Sequence, residues 1–185
     1  ILHGIRVAIF QPAIVHPARF DLPALANDFQ GIVRRPTDFM QTIERELAAR
    51  YFDRFEKTAP SIGLEYMGVK EFPESRARDP EQRKSEEAAK LNSALPSGSM
   101  LVLLDERGRN ISSADFAQII AKHRNSGIKS TVFAIGGADG HAETLRRQAN
   151  MIISFGAMTF PHQIMRILIA EQLYRATTIL SGHPY

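Results

Sequence analysis

Five polar residues stand at helical spacing inside an otherwise apolar stretch near the end of the chain: His162, Arg166, Glu171, Tyr174 and Arg175. Between them Ile164, Ile167, Leu168, Ala170 and Leu173 supply a broad apolar face, so the segment reads as a helix with polar groups mixed into its buried side. Glu171 and Arg175 are four residues apart, the separation at which a carboxylate and a guanidinium meet on a helix surface. Arg166 and Tyr174 suit the rim of a core or of a dimer interface, where a long side chain lays its apolar stem on the surface and keeps its tip wet.

Other chemistries find no support. His3, His16, His123, His141 and His183 lack a ligand spacing such as H-x-x-x-H, so no metal site is expected. With no cysteine in the chain, disulfides, thiolate catalysis and cysteine-based zinc sites are excluded. G-x-S-x-G is absent, and with it the strand-to-helix serine nucleophile. Neither G-x-x-x-x-G-K-[ST] nor G-x-G-x-x-G occurs; Gly136-Gly137-x-x-Gly140 has the glycines of a dinucleotide loop without its spacing. A ligand held by backbone groups and apolar walls rather than by a phosphate nest fits better, and an adenosine with a thioether or sulfonium tail has that character.

The elements that must position these groups follow from periodicity. The 185 residues suffice for one domain with a sizeable core. Composition is that of a globular protein, 44% hydrophobic and 23% charged, and the net charge of +3 permits a polyanionic partner without requiring one. No apolar run approaches the roughly 20 residues that span a bilayer, and the best export-signal candidate, Val7 to Val15, is broken by Gln11 and Pro12. Asn110-Ile111-Ser112 matches a glycosylation acceptor by chance, and a cytoplasmic location with no membrane partner is expected.

Residues 1–40 hold Pro12, Pro17, Pro23 and Pro36; only Ile5 to Phe10 looks like a strand, and no long regular element is expected between Gln11 and Pro36. From Gln41 the apolar positions Ile43, Leu47, Tyr51 and Phe55 predict an amphipathic helix, and Ile62, Leu64 and Tyr66 alternate as in a strand. Lys70 to Lys90 is densely charged and predicts a loop followed by a largely solvated helix starting at Asp79-Pro80-Glu81-Gln82, with a lid over a site as the functional alternative. Met100 to Leu104, Thr131 to Ile135 and Met151 to Phe155 read as buried strands, separated by helices at Ser112 to about Gly127 and at Ala142 to Ala149. A last helix runs from Pro161 to about Ile179. Alternating strands and helices of this kind predict an α/β fold with a mostly parallel sheet and helices on both faces.

In such a sheet ligands bind beyond the carboxyl ends of the strands. Three ends carry glycine: Leu104-Asp105-Glu106-Arg107-Gly108, Ile135-Gly136-Gly137-Ala138-Asp139-Gly140, and Phe155-Gly156-Ala157-Met158-Thr159-Phe160-Pro161. Together they predict a ligand groove.

At these residues the chain resembles the ribosomal RNA large-subunit methyltransferase H family, a compact branch of the SPOUT methyltransferases. The matching stretches are ERELAARYFDRF, LLDERG, FAIGGADGH and above all MTFPHQIMRILIAEQLYRATTILSGHPY, so that the resemblance covers residues 41–185 and sets apart 1–40 as a poorly readable segment. The resemblance implies a C-terminal trefoil knot, an exception to the rule that chains avoid threading. It implies a homodimer that uses S-adenosyl-L-methionine to methylate N3 of a pseudouridine in 23S ribosomal RNA, preferring the assembled 70S ribosome. Carried over by motif, the cofactor contacts fall on Leu104, Gly136, Phe155, Gly156, Ala157, Met158, Thr159 and Phe160. His162, Glu171, His183 and Tyr185 are candidates for the group that assists loss of the imide proton, and Arg166 and Arg175 for RNA contacts. The alternative is a non-catalytic ribosome-binding or assembly factor on the same scaffold, or an enzyme of this fold acting on another RNA.

Two departures from the family pattern stand out. Some thirty residues of proline-rich chain separate Ile5 to Phe10 from the first helix, which implies an insertion or an aberrant start. Family members also commonly carry two further residues, one or both basic, after H-P-Y, where this chain stops at Tyr185. Weakened tail contacts to RNA are expected from that.

Overall fold

Leu101 to Leu104 and Val132 to Ile135 present an apolar side chain at every position, and a strand of that kind is stable only where both faces are covered. In the computed structural model, which describes residues 5–13 and 36–185, both runs are buried throughout. They belong to strands β3 (Met100–Asn110) and β4 (Ser130–Ile135), which with β1 (Ile5–Ala13), β2 (Leu64–Pro73) and β5 (Met151–Ser154) form one sheet among the described residues. The order is β2-β1-β4-β3-β5 and every pairing is parallel. Five helices accompany it: α1 (Pro36–Thr58), α2 (Pro80–Ala94), α3 (Ser113–Asn125), α4 (Glu143–Gln148) and α5 (His162–Ser181).

Strand side chains alternate between two cores. Val7, Ile9, Val102, Leu104, Phe133 and Ile135 meet α1, α3 and α5 through Phe52, Phe55, Phe116, Ile120, Ile169 and Leu173. On the other face Phe10, Leu101, Leu103, Val132 and Ala134 meet Ala88 and Leu91 of α2 and Leu145 of α4. The expected α/β architecture with helices on both faces is therefore present. No helix among the described residues is long and apolar enough to cross a membrane.

β1, from the segment least readable in the sequence, lies inside the sheet: Val7 pairs with Tyr66 of β2 on one side and Thr131 of β4 on the other. The expectation of no long regular element between Gln11 and Pro36 falls mostly outside the described residues. α1 begins at Pro36, a position where proline's missing N–H costs nothing. Its predicted apolar stripe only partly faces the sheet. Ile43 and Leu47 are 41% and 39% exposed, while Ala48, Phe52 and Phe55 are buried. Residues four apart advance by about 400° rather than 360° around a helix, so a repeat of four drifts off the core within three steps.

The caps form as the sequence predicts. Asp79 Oδ2 accepts a hydrogen bond from the backbone N of Gln82 at 3.0 Å ahead of Pro80, and Ser112 Oγ accepts from Asp115 N at 3.1 Å while the Asp115 carboxylate accepts from Ser112 N. β2 differs from expectation at both ends. Ile62 lies in a 3-10 turn (Ala59–Ile62), and the strand continues through the charged Lys70 and Glu71 to Pro73. An edge strand tolerates charges and a terminal proline because one side of its backbone meets no partner strand.

β3 also outruns its apolar core. It pairs with β5 at Leu104↔Ile153, leaves the register, and returns at Arg109↔Ile153. On that excursion Gly108 lies on the β5 backbone: a Cβ there would come within 2.6 Å of the Ile153 carbonyl carbon and 2.8 Å of Ile152 C. Only a residue without a side chain passes. Gly108→Ala is expected to cost roughly 1–3 kcal/mol of stability, since the obstacle is main chain and cannot rotate away. Urea unfolding followed by circular dichroism checks this, and an unchanged midpoint would show that the crossing is looser than these distances require.

Candidate functional site

The parallel sheet brings the carboxyl ends of β3, β4 and β5 to one edge, where they and the start of α5 enclose a cavity of about 600 Å³. Leu104 to Arg107 form one wall, the turn from Ile135 to His141 a second, and Ser154 to Gly156 with Met158 to Gln163 a third. The three glycine-bearing strand ends are thus walls of a single chamber. Of the residues expected to contact a cofactor, Leu104, Gly136, Phe155, Gly156, Met158, Thr159 and Phe160 line it; Ala157 does not. Met158 is 75% exposed, an unusual state for methionine and one that leaves an apolar side chain at the rim.

Polar groups hold the walls together. Thr159 Oγ1 donates to Glu106 Oε2 at 2.5 Å, joining the third wall to the first. His141 is buried, and its Nε2 lies 3.2 Å from the Leu104 carbonyl, tying the second wall to the first. Burial lowers the His141 pKa. Asp105 accepts from Arg146 Nη1 at 2.5 Å and from the backbone N of Arg107 at 2.9 Å. Burial pushes the Asp105 carboxyl up, but these hydrogen bonds outweigh it, and the group sits below the usual carboxylate range. Asp139 is held low by its hydrogen bonds from Arg83. The long-range links among these were not legible in the sequence, because partners such as Asp105 and Arg146 are 41 positions apart.

Among the four proton-handling candidates, His162 alone lines the cavity. Its Nε2 is buried and has no hydrogen-bond partner among the described residues, and its pKa is lowered by burial first and by the neighbouring Arg166 charge second. Glu171 is saturated instead. It accepts from Arg175 Nε at 2.8 Å, from Gln172 Nε2 at 2.6 Å and from the Tyr185 hydroxyl at 2.7 Å. Arg175 in turn stacks 3.9 Å from the centre of the Tyr185 ring, so the chain end is folded back onto α5. Burial and the Glu171 hydrogen bond raise the Tyr185 pKa. The Nδ1 of the exposed His183 is 3.0 Å from the Pro184 carbonyl.

Of the two arginines expected to contact RNA, Arg175 is engaged with Glu171 and Tyr185 as above. Arg166 is buried: its Nε donates to Gln11 Oε1 at 2.7 Å and its Nη2 to Glu71, tying α5 to β1 and β2. Arg107, which drew no attention in the sequence, is at the cavity wall with its side chain 62% exposed. No group of three or more histidine, aspartate or glutamate side chains that could hold a metal ion occurs among the described residues.

A family model described as "Predicted SPOUT methyltransferase" matches residues 37–185. Proteins named ribosomal RNA large subunit methyltransferase H from Brucella anthropi and Sinorhizobium medicae are 55% and 56% identical to this chain over 142 residues, covering 77% of it and 89% of each relative. The crystal structure of the SpoU methyltransferase AviRb from Streptomyces viridochromogenes in complex with the cofactor AdoMet aligns with 100% of this chain and 60% of its own, at 11% identity. Its TM-score of 0.38 is too low to establish a shared fold.

Arg166→Met is expected to lower the unfolding free energy by about 2 kcal/mol, because Glu71 and Gln11 stay in place and lose their charged donor. Chemical denaturation measures it. Unchanged stability together with weakened RNA binding would instead make Arg166 an RNA contact.

Proposed function

This chain belongs to the ribosomal RNA large-subunit methyltransferase H family of SPOUT methyltransferases, and on that premise we propose that it uses S-adenosyl-L-methionine to methylate N3 of a pseudouridine in 23S ribosomal RNA. The observation that carries this reading is the cavity itself: three strand ends, an apolar rim and a buried nitrogen, His162 Nε2, without a partner among the described residues. Its volume of about 600 Å³ lies in the usual range for small-molecule and cofactor sites. Leu104, Gly136 and the Phe155 to Phe160 segment are the proposed cofactor contacts, Ala157 through its main chain.

The bound cofactor supplies a methyl group on a sulfonium centre, an electrophile that needs no further activation. What remains for the protein is alignment, exclusion of water and removal of the imide proton. Phe155, Met158 and Phe160 supply apolar wall on the side of the cavity that α5 closes. A neutral His162 is the proton acceptor: it lines the cavity, burial disfavours its charged form, and no group among the described residues occupies its Nε2. Glu171, His183 and Tyr185 lie outside the cavity lining of their own protomer and would act only on a second protomer's site. Arg107, exposed at the wall, suits a phosphate of the incoming RNA, with Arg175 a further contact at the chain end.

We place the enzyme in the cytoplasm as a homodimer, residues 41–185 forming the methyltransferase domain with a C-terminal trefoil knot. The exposed Ile43 and Leu47 of α1 and Ile179 of α5 support an apolar contact between protomers. The small net charge supports recognition of the assembled 70S ribosome by shape more than by a long basic groove.

Calorimetry with S-adenosylmethionine followed by a tritiated-methyl transfer assay on 70S ribosomes, free subunits and naked ribosomal RNA tests the reading. Binding and transfer to the 70S particle are expected. A folded protein that binds ribosomes but not the cofactor would be a non-catalytic ribosome-binding factor. Because the His162 pKa lies below the ordinary histidine value of roughly 6.5, the rate should stay flat through neutral pH and fall only as pH drops below that value. His162→Gln is expected to lower kcat by about 10² or more and to abolish that acidic limb. Retention of the limb in the variant would exclude His162 as the proton acceptor.

A further inference from the structure

One guanidinium joins three segments of chain next to the cavity. Arg83, in the first turn of α2, donates Nε to Asp139 Oδ2 at 2.6 Å and Nη2 to Asp139 Oδ1 at 2.9 Å, a two-pronged grip on a residue of the cavity wall. Its Nη1 donates to the carbonyls of Ala77 and Arg78 at 3.0 Å each, so the approach to α2 is bound by the same group. One helical turn further on, Glu87 presses against the same wall: a Cβ on Gly137 would lie 2.7 Å from Glu87 Oε2. Glu87 is itself held by the backbone N of Ser75, which donates to its Oε1 at 3.3 Å. The turn is therefore clasped from outside by two residues of α2, while its inner surface forms the cavity. Within the turn Gly137 and Gly140 face each other in an isolated antiparallel bridge, with Gly140 N donating to Gly137 O at 3.0 Å.

We infer that Arg83 is a positioning residue for cofactor binding: its fork on Asp139 holds the Gly136 to Gly140 turn where the cofactor meets it. The inference rests on the cofactor reading of the cavity given above. A turn rich in glycine, bridged internally only between Gly137 and Gly140 among the described residues, samples other conformations unless something external restrains it. Holding it in the bound shape in advance removes that ordering from the cost of binding. Lysine cannot replace arginine in this role, because a point charge on a flexible stem cannot grip both carboxylate oxygens and two carbonyls at once. The charged helix from Pro80 thus acts as a brace on the second wall of the pocket.

The test measures S-adenosylmethionine affinity by calorimetry and KM and kcat by methyl transfer to ribosomes, for the full chain and for Arg83→Lys and Arg83→Gln. Arg6→Gln, which breaks an exposed ion pair with Glu65 elsewhere on the sheet, serves as control. Expected is a rise of about tenfold in Kd and in KM for the cofactor in both Arg83 variants. The kcat at saturating cofactor and the control are expected to stay within about twofold, smaller than any effect assigned to a single strong hydrogen bond. A purely structural role would lower Tm and the active fraction but leave the cofactor KM of the folded molecules unchanged, and that result overturns the inference. So does loss of fold in both Arg83 variants, which would make the clasp part of the folding framework. Absence of cofactor binding by the unmodified chain would sink the cofactor reading itself, a result distinct from all of these.

Discussion

All strand pairings in the described sheet are parallel, and two consequences follow from that single constraint. Both faces must be covered, because the interior strands β1, β3 and β4 carry apolar side chains in both directions. All carboxyl ends must also fall at one edge, because each connection returns the chain to the same starting side. The coverings supply most of the hydrophobic stabilisation, and the shared edge supplies the cavity. The site is in this sense a by-product of strand direction, refined by glycine at the three turns.

Two ion pairs and one hydroxyl hydrogen bond then fix what the hydrophobic cores leave loose. The cores pin the strands up to Leu104, Ile135 and Ser154, but the turns beyond are too polar and too glycine-rich to pin themselves. Asp105 with Arg146, Asp139 with Arg83 and Glu106 with Thr159 each cross from one wall or brace to another. Exposed ion pairs of this kind contribute well under about 1 kcal/mol, whereas pairs with little access to water and two-pronged geometry hold their partners in one arrangement. Asp105, only 5% exposed in its side chain, has the low water access, and the Arg83 fork on Asp139 has the two-pronged geometry. The same reasoning removes Arg166 from the pool of free cations, since its partners Gln11 and Glu71 lie inside the protomer.

α5 carries three separate duties along its length. Its first turn delivers His162 to the cavity, its middle buries Ile169, Ala170 and Leu173 against the sheet, and its last turns hold the chain end through Glu171, Arg175 and Tyr185. This explains why its apolar face looked interrupted in the sequence. His162, Arg166, Glu171 and Arg175 mark the places where the helix meets something other than the apolar core, while Tyr174 packs against it.

What could be read from the sequence alone was what local physics dictates. The runs Leu101 to Leu104 and Val132 to Ile135 had to be buried strands, Asp79 with Gln82 and Ser112 with Asp115 had to start helices, and the three glycine-bearing strand ends had to face a common groove once the sheet was parallel. The motif from Met158 to Tyr185 identified the family. Contacts between distant positions were decided only by the tertiary structure: β1 slotting between β2 and β4, β2 extending through charged residues along an edge, Gly108 lying on the β5 backbone, and Arg166 withdrawn between Gln11 and Glu71. Spacing along a chain reports a residue's neighbours within one turn or one pleat. Which arginine stays free to meet RNA, and which is spent on a carboxylate 95 positions away, depends on how the elements pack.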